Sequence, residues 1–351
     1  MIPITLISGF LGAGKTTLLN SIIVQNPDKK VIVIENEFGE IGVDGALLIE
    51  LDAQIFELSN GCICCNLNED LQETLLKIVN LETKPDHLII ETTGIADPAP
   101  IIISLLNDEI IQSNFRIDSV ITLIDALNFK NQINQNPVSI KQLSYANFIV
   151  VNKIATIHKN DLVELMQEIA NYNPGAELYA TNFAFVKDIN LLELNLFDEL
   201  KLSPKESRSF TMLNNSPYER KIVLDSSVTH KVKSISISTD HPLDILKFNT
   251  WLSALLQNSF GNIYRVKGFV VFEDFEHFTV IQGVQNTFVT EQGRSVGASN
   301  FSVSELVFIG VNLEKEFFQK GLELCVYNED EINFEKLYDN IENIQNILLQ
   351  E

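Results

Sequence analysis

Short apolar runs at residues 4–8, 31–35, 87–91, 119–125 and 148–152 alternate with longer stretches in which apolar residues recur every three or four positions. That alternation predicts βαβ units and a mainly parallel sheet flanked by helices, an α/β fold. Leu67, Leu71, Leu75 and Ile78 form one such helical stripe. Residues 202–217 are polar and rich in Ser, Asn and Pro, so a first domain is expected over 1–201 and a linker over 202–229. An alternating run at 232–238 then predicts a strand. A helix at 243–256, strands near 263–273, 278–282 and 305–311, and a helix at 314–325 follow. This order reads as a smaller α+β domain over 230–330. In the tail, 331–351, Leu337, Ile341, Ile344 and Leu348 lie at helical spacing and predict a helix covering that second domain.

Charge narrows the partners. The 25 Lys and Arg face 47 Asp and Glu, a formal charge of −22 that repels nucleic acid and anionic membranes. An anionic ligand must therefore be held locally, by backbone dipoles, one or two cations and magnesium. No apolar run reaches the roughly 18–20 residues of a membrane span. The start lacks a basic flank and reads as a strand rather than a signal peptide. Three of the four cysteines crowd into Cys62, Cys64 and Cys65, a spacing unsuited to stapling disulfides. A reducing, cytoplasmic setting is expected.

Gly9-Phe10-Leu11-Gly12-Ala13-Gly14-Lys15-Thr16 matches the P-loop pattern between a strand and a helix that continues through Thr17. Gly9, Gly12, Ala13 and Gly14 let backbone N–H groups curl around phosphates. Lys15 offers a charge to the β- and γ-phosphates, and the Thr16 hydroxyl is a magnesium ligand. The apolar strand 87–91 delivers Glu91 to its carboxyl end, with Gly94 three residues on. Glu91 is the candidate to orient the magnesium shell or the attacking water, and the Gly94 N–H to sense the γ-phosphate. Asn152-Lys153 ends a further strand where GTPases carry Asn-Lys-x-Asp against guanine, but the fourth place is Ala155. Losing that carboxylate leaves guanine donors unmet, at a cost of about 1–3 kcal/mol.

Gly61-Cys62-Ile63-Cys64-Cys65 presents three thiols within four residues. Soft thiolates select zinc, Cu(I) or similar ions, and with fewer than four protein ligands the site stays open for transfer. Water, substrate, Glu37 or Glu40 are the candidates to complete the shell.

Together with Glu35-Asn36-Glu37-Phe38-Gly39-Glu40 and Glu91-Thr92-Thr93-Gly94-Ile95-Ala96-Asp97-Pro98, these motifs resemble the CobW family of metal-handling GTPases, akin to UreG and HypB. The likeness continues through Trp251-Leu252, Tyr264-Arg265-Val266-Lys267-Gly268 and Leu306-Val307-Phe308-Ile309-Gly310, the expected CobW-type C-terminal domain. It implies a P-loop GTPase fold, hydrolysis of GTP to GDP with magnesium, and zinc or cobalt as cargo for a client metalloprotein or cofactor-synthesis enzyme. By the same resemblance Glu37 and Glu40 belong to the first switch, and Cys62, Cys64 and Cys65 bind the cargo. Two features depart from the pattern: Ala155 stands for aspartate, and no histidine-rich stretch occurs. A nucleotide-gated metal sensor with negligible turnover and an ATP-dependent kinase or ligase stay open as alternatives, as does a homo-oligomer.

Overall fold

The computed structural model describes residues 1–35, 54–57, 67–197, 211–212, 232–259, 262–295, 303–328 and 334–348. The chain divides into two compact units, the first built chiefly from Met1–Ala170 and Gly175–Glu199, the second from Asp225–Glu351.

In the first unit the elements run β1 (Ile2–Gly9), α1 (Lys15–Gln25), β2 (Val31–Glu35), β3 (Gln54–Glu57), α2 (Leu67–Val79), β4 (His87–Glu91), α3 (Ala99–Asn107), α4 (Glu109–Asn114) and β5 (Phe115–Asp125). They continue with α5 (Phe129–Gln135), α6 (Pro137–Tyr145), β6 (Phe148–Asn152), α7 (Lys159–Tyr172), β7 (Glu177–Ala180) and β8 (Thr211–Met212). The strands form one sheet in the order β3-β2-β4-β1-β5-β6-β7-β8, and every pairing is parallel. All five residues of β2 and of β6 are buried, as expected for strands covered on both faces, so they read as unbroken apolar runs rather than alternating ones. On one face Leu18, Leu19, Ile22 and Ile23 of α1 pack on Ile7, Val33, Ile89, Ile121 and Val150. β8 lies within the stretch expected to be a linker, whose other residues up to 231 lie outside the described ones.

Parallel pairing sends the carboxyl ends of β1 to β6 to one edge. There Glu35 is opposite both Glu57 and Glu91, Glu91 opposite Ile7, and Asp125 opposite Asn152.

At the other edge His87 is 1% exposed, with Nε2 2.8 Å from Thr5 Oγ1. Burial first, and then the nearby Lys29 and Arg116 charges, push its pKa from 6.5 down to about 3, against a smaller opposite pull from Glu193. The folded protein refuses a proton that the unfolded chain takes up below pH 6.5, so this stability is complete above 6.5 and drains away towards pH 3. At about 1.4 kcal/mol per unit, roughly 2 kcal/mol should be lost by pH 5. Urea denaturation at pH 7.5 and pH 5 checks this: His87→Gln should flatten that part of the acid dependence, and an unaltered slope would refute the assignment.

The second unit contains β9 (Val232–Thr239), α8 (Ile245–Gln257), β10 (Ile263–Val270), β11 (His277–Val284), β12 (Thr287–Ser295), β13 (Ser304–Val311), α9 (Lys315–Leu324) and α10 (Phe334–Leu348). Its strands form an antiparallel sheet in the order β12-β11-β10-β13-β9. β9 alternates buried and exposed positions because one face meets a core and the other does not. That core joins Trp251, Leu252 and Leu255 of α8 to Phe308, Phe318, Leu337, Ile341, Ile344 and Leu348. Asp244 caps α8, its Oδ1 accepting the Leu246 and Lys247 N–H groups at 2.9 Å. Among the described residues no helix is long and apolar enough to cross a membrane.

Candidate nucleotide and metal site

The P-loop leaves β1 at Gly9 and closes on α1. Gly12 is exposed and Ala13 buried, its N–H donating to Phe10 O at 3.1 Å. Gly14 caps the helix with φ 106°, a conformation that disfavours any side chain, and a Cβ there would fall 2.7 Å from Asn152 Nδ2. Lys15 is the first helical residue and only 8% exposed; Thr16 is half-buried and Thr17 exposed. The dipole of an 11-residue helix makes this terminus attractive to phosphate.

Asn152 and Lys153, expected at the base, grip the P-loop from behind. Asn152 Nδ2 donates to Ala13 O at 2.9 Å, while its Oδ1 accepts the Ala184 N–H at 2.8 Å. Lys153, at φ 64°, donates through Nζ to Gly12 O at 2.7 Å and to Asp125 Oδ2 at 2.9 Å. Burial alone would raise the Asp125 pKa, but hydrogen bonds from Lys153, Asn128 and the Leu127 N–H outweigh it and hold the carboxyl below its usual range. Asp125 was missed in the sequence although it ends a strand at this edge as Glu91 does. Applying the same rule to residues 119–125 would have found it.

Glu91 is half-buried at the end of β4, and Thr92 N–H donates to Ile7 O at 2.9 Å. Gly94 presses against the P-loop so closely that a Cβ would lie 2.5 Å from Leu11 N. From the other side buried Gln142 of α6 donates through Nε2 to Gly94 O at 3.3 Å and Ala96 O at 3.0 Å. Lys141 pairs with Asp97 at 2.8 Å. Sequence reading did not anticipate this clamp, because Gln142 lies 48 residues from Gly94. Three hydroxyl oxygens at this edge, Ser8 Oγ, Thr92 Oγ1 and Thr93 Oγ1, are buried without a hydrogen-bond partner among the described residues.

Of the expected metal ligands, Thr16 is placed; Glu37, Glu40, Cys62, Cys64 and Cys65 lie outside the described residues. Among the described residues no cluster of three or more His, Cys, Asp or Glu could hold a metal. Cys325 is buried in the second core, where loss of hydration pushes its thiol pKa far up and Sγ meets Gly321 O at 3.2 Å. It is an inert packing residue.

Residues 3–180 match the CobW/HypB/UreG nucleotide-binding domain, and residues 232–326 the cobalamin synthesis protein cobW C-terminal domain. The zinc chaperone YjiA of Escherichia coli is 34% identical over 322 residues, covering 90% of this chain and 96% of that protein. The zinc-regulated GTPase metalloprotein activator 1 of Schizosaccharomyces pombe is 29% identical over 346 residues, covering 90% and 83%. The crystal structure of Zn(II)-bound YjiA GTPase superposes with a TM-score of 0.65 at 27% identity, over 93% of this chain and 99% of that one. With its P-loop, its clamped Gly94 loop and both domains matched in order, this chain belongs to the CobW/HypB/UreG family of nucleotide-binding proteins.

Proposed function

We propose that this chain is a magnesium-dependent GTPase that carries zinc on Cys62, Cys64 and Cys65 and yields it to a client protein. The nucleotide-binding domain would span 1–201, joined through 202–229 to the C-terminal domain at 230–330 and its helical tail at 331–351. The observation carrying the GTPase half is the anchoring of the P-loop backbone at Ala13 O and Gly12 O by Asn152 and Lys153, which preorganises the loop before phosphate arrives. The zinc half is supported by the thiol spacing and by the relatives named as zinc chaperones. A reducing, cytoplasmic setting keeps such cysteines as free thiols rather than disulfides.

Backbone N–H groups of the P-loop and the Lys15 ammonium hold the phosphates, with Thr17 on the same first turn. Hard cations take oxygen ligands, which suits the Thr16 hydroxyl to magnesium, and Ser8, Thr92 and Thr93 supply further oxygens at the same edge of the sheet. Bound there, that ion would neutralise charge on the β- and γ-phosphates. Glu91 orients the attacking water. Gly94, held between Leu11 and Gln142, aims its N–H at the γ-phosphate. Purified protein tests the whole reading: magnesium-dependent GTP turnover together with stoichiometric zinc is expected, and a zinc-binding protein without turnover would instead support the sensor.

Ala155 bears on selectivity. Its N–H donates to Asn182 Oδ1 at 2.7 Å, which fixes the residue at the mouth of the Asn152-Lys153 turn. Ala155→Asp should raise the preference for GDP over ADP on the order of tenfold, the worth of one satisfied pair of base donors. Competition titrations read the ratio directly, and the same ratio in both proteins would end this account.

A further inference from the structure

We propose that Phe183 is the platform on which the purine ring of the bound nucleotide stacks, in a site where Ala155 offers the base no carboxylate. The proposal rests on the nucleotide site described above and adds the residue that holds the base.

Phe183 is 85% exposed, twice as much as Phe185 at 43%, whereas Leu178 and Tyr179 of β7 are buried. It occupies a turn closed by the Phe185 N–H donating to Asn182 O at 3.3 Å. Both central residues of that turn, Phe183 at φ 57° and Ala184 at φ 50°, are left-handed. Such turns are dominated by Gly, Asn and Asp, because a Cβ in this conformation meets the backbone. A phenylalanine here is unfavourable twice over, in backbone strain and in exposed apolar surface. Neither helps the fold, and this combination is characteristic of ligand clamps.

The residues on either side fix where the ring stands. Asn182 Oδ1 accepts the Ala155 N–H at 2.7 Å, and the Ala184 N–H donates to Asn152 Oδ1 at 2.8 Å. Thr181 O accepts the Ile154 N–H at 3.4 Å. Phe183 thus sits between two residues bonded to the Asn152–Ala155 turn, whose Lys153 reaches Gly12 O of the P-loop. Ala184 is fully buried, so the turn is anchored from below while Phe183 faces solvent. Stacking tolerates any purine because every base has a π-face, which suits a site without the carboxylate that singles out guanine.

The test measures GDP, ADP and magnesium tripolyphosphate binding by calorimetry. Phe183→Asn should weaken GDP and ADP together, on the order of tenfold, the scale of one base–aromatic stack. Tripolyphosphate, which has no base, should bind as before. Melting temperature should hold or rise, since Asn tolerates the left-handed backbone. Phe183→Trp should retain wild-type nucleotide affinity. Unchanged nucleotide affinity in Phe183→Asn would overturn the proposal, as would an equal loss of tripolyphosphate, which would assign the ring to the loop's own structure. A wild-type protein that binds no nucleotide would remove the underlying site reading instead.

Discussion

Lys15→Met lowers GTP turnover by about 10²-fold or more in the expected outcome, while the protein stays folded. The argument begins with charge: at −22 overall the chain repels a triphosphate, so binding depends on what the P-loop concentrates locally. Lys153 donates to Asp125 and Gly12 O, and Lys141 to Asp97, so both are engaged in holding the protein together. Lys15 stands at the start of α1, where the helix dipole adds to its own charge. Removing one preorganised charge donor from developing transition-state charge typically costs 10²–10³-fold, roughly 2.7–4 kcal/mol. Methionine keeps most of the buried stem, so packing is spared and the loss reports on the ammonium. Single-turnover hydrolysis and circular dichroism on the same sample decide it. Turnover within a few-fold of wild type would withdraw Lys15 from the mechanism.

Zinc should bind on the order of 5–150-fold more tightly to the form holding a non-hydrolysable GTP analogue than to the GDP form. Glu35 ends β2 and Glu57 ends β3, both at the edge where the P-loop leaves β1. Both strands therefore end on the nucleotide side of the sheet, β3 three strand spacings, about 14 Å, from β1. If the γ-phosphate draws Glu37 or Glu40 towards the thiols of Cys62, Cys64 and Cys65, the two ligands share one conformational equilibrium. Reciprocity then requires zinc to tighten the GTP analogue by the same factor, for a coupling of about 1–3 kcal/mol. Joint Cys64→Ser and Cys65→Ser replacement should abolish the coupling and spare nucleotide affinity. Equal zinc affinities in the two nucleotide forms would leave a GTPase whose thiols are not under nucleotide control.

What the sequence revealed follows burial. β2, β4 and β6 are legible residue for residue because strands covered on both faces must be apolar throughout and stop where polar turns begin. β3 and β7, with only four residues each, are too short to make a pattern. In β12, Thr287–Ser295, polar Thr, Glu, Gln and Arg dilute the alternation, as they can on an edge strand. The P-loop and Glu91 were legible because each joins a strand end to a fixed local spacing. Asn152 and Lys153 were singled out as base contacts, but their grip on Ala13 and Gly12 was not foreseen, since it spans some 140 residues. The left-handed turn at Phe183 and Ala184 contains no glycine, so it carries no local signal at all.

Helix α10 has a consequence for biosynthesis. It covers the second core with Leu337, Ile341, Ile344 and Leu348, and Asn340 Oδ1 accepts the Trp251 indole N–H at 3.2 Å. The last described strand of the first sheet, by contrast, ends at Met212. At about 5–20 residues per second the ribosome needs roughly 7–27 s to add residues 213–348. Once α8 is complete at Gln257, its apolar side lacks the cover of α10 for the roughly 5–18 s needed to reach residue 348, and the nascent second unit exposes surface prone to aggregation. A nonsense codon just ahead of residue 334 would make that exposure permanent, yielding a chain with a finished P-loop and an open, aggregation-prone core.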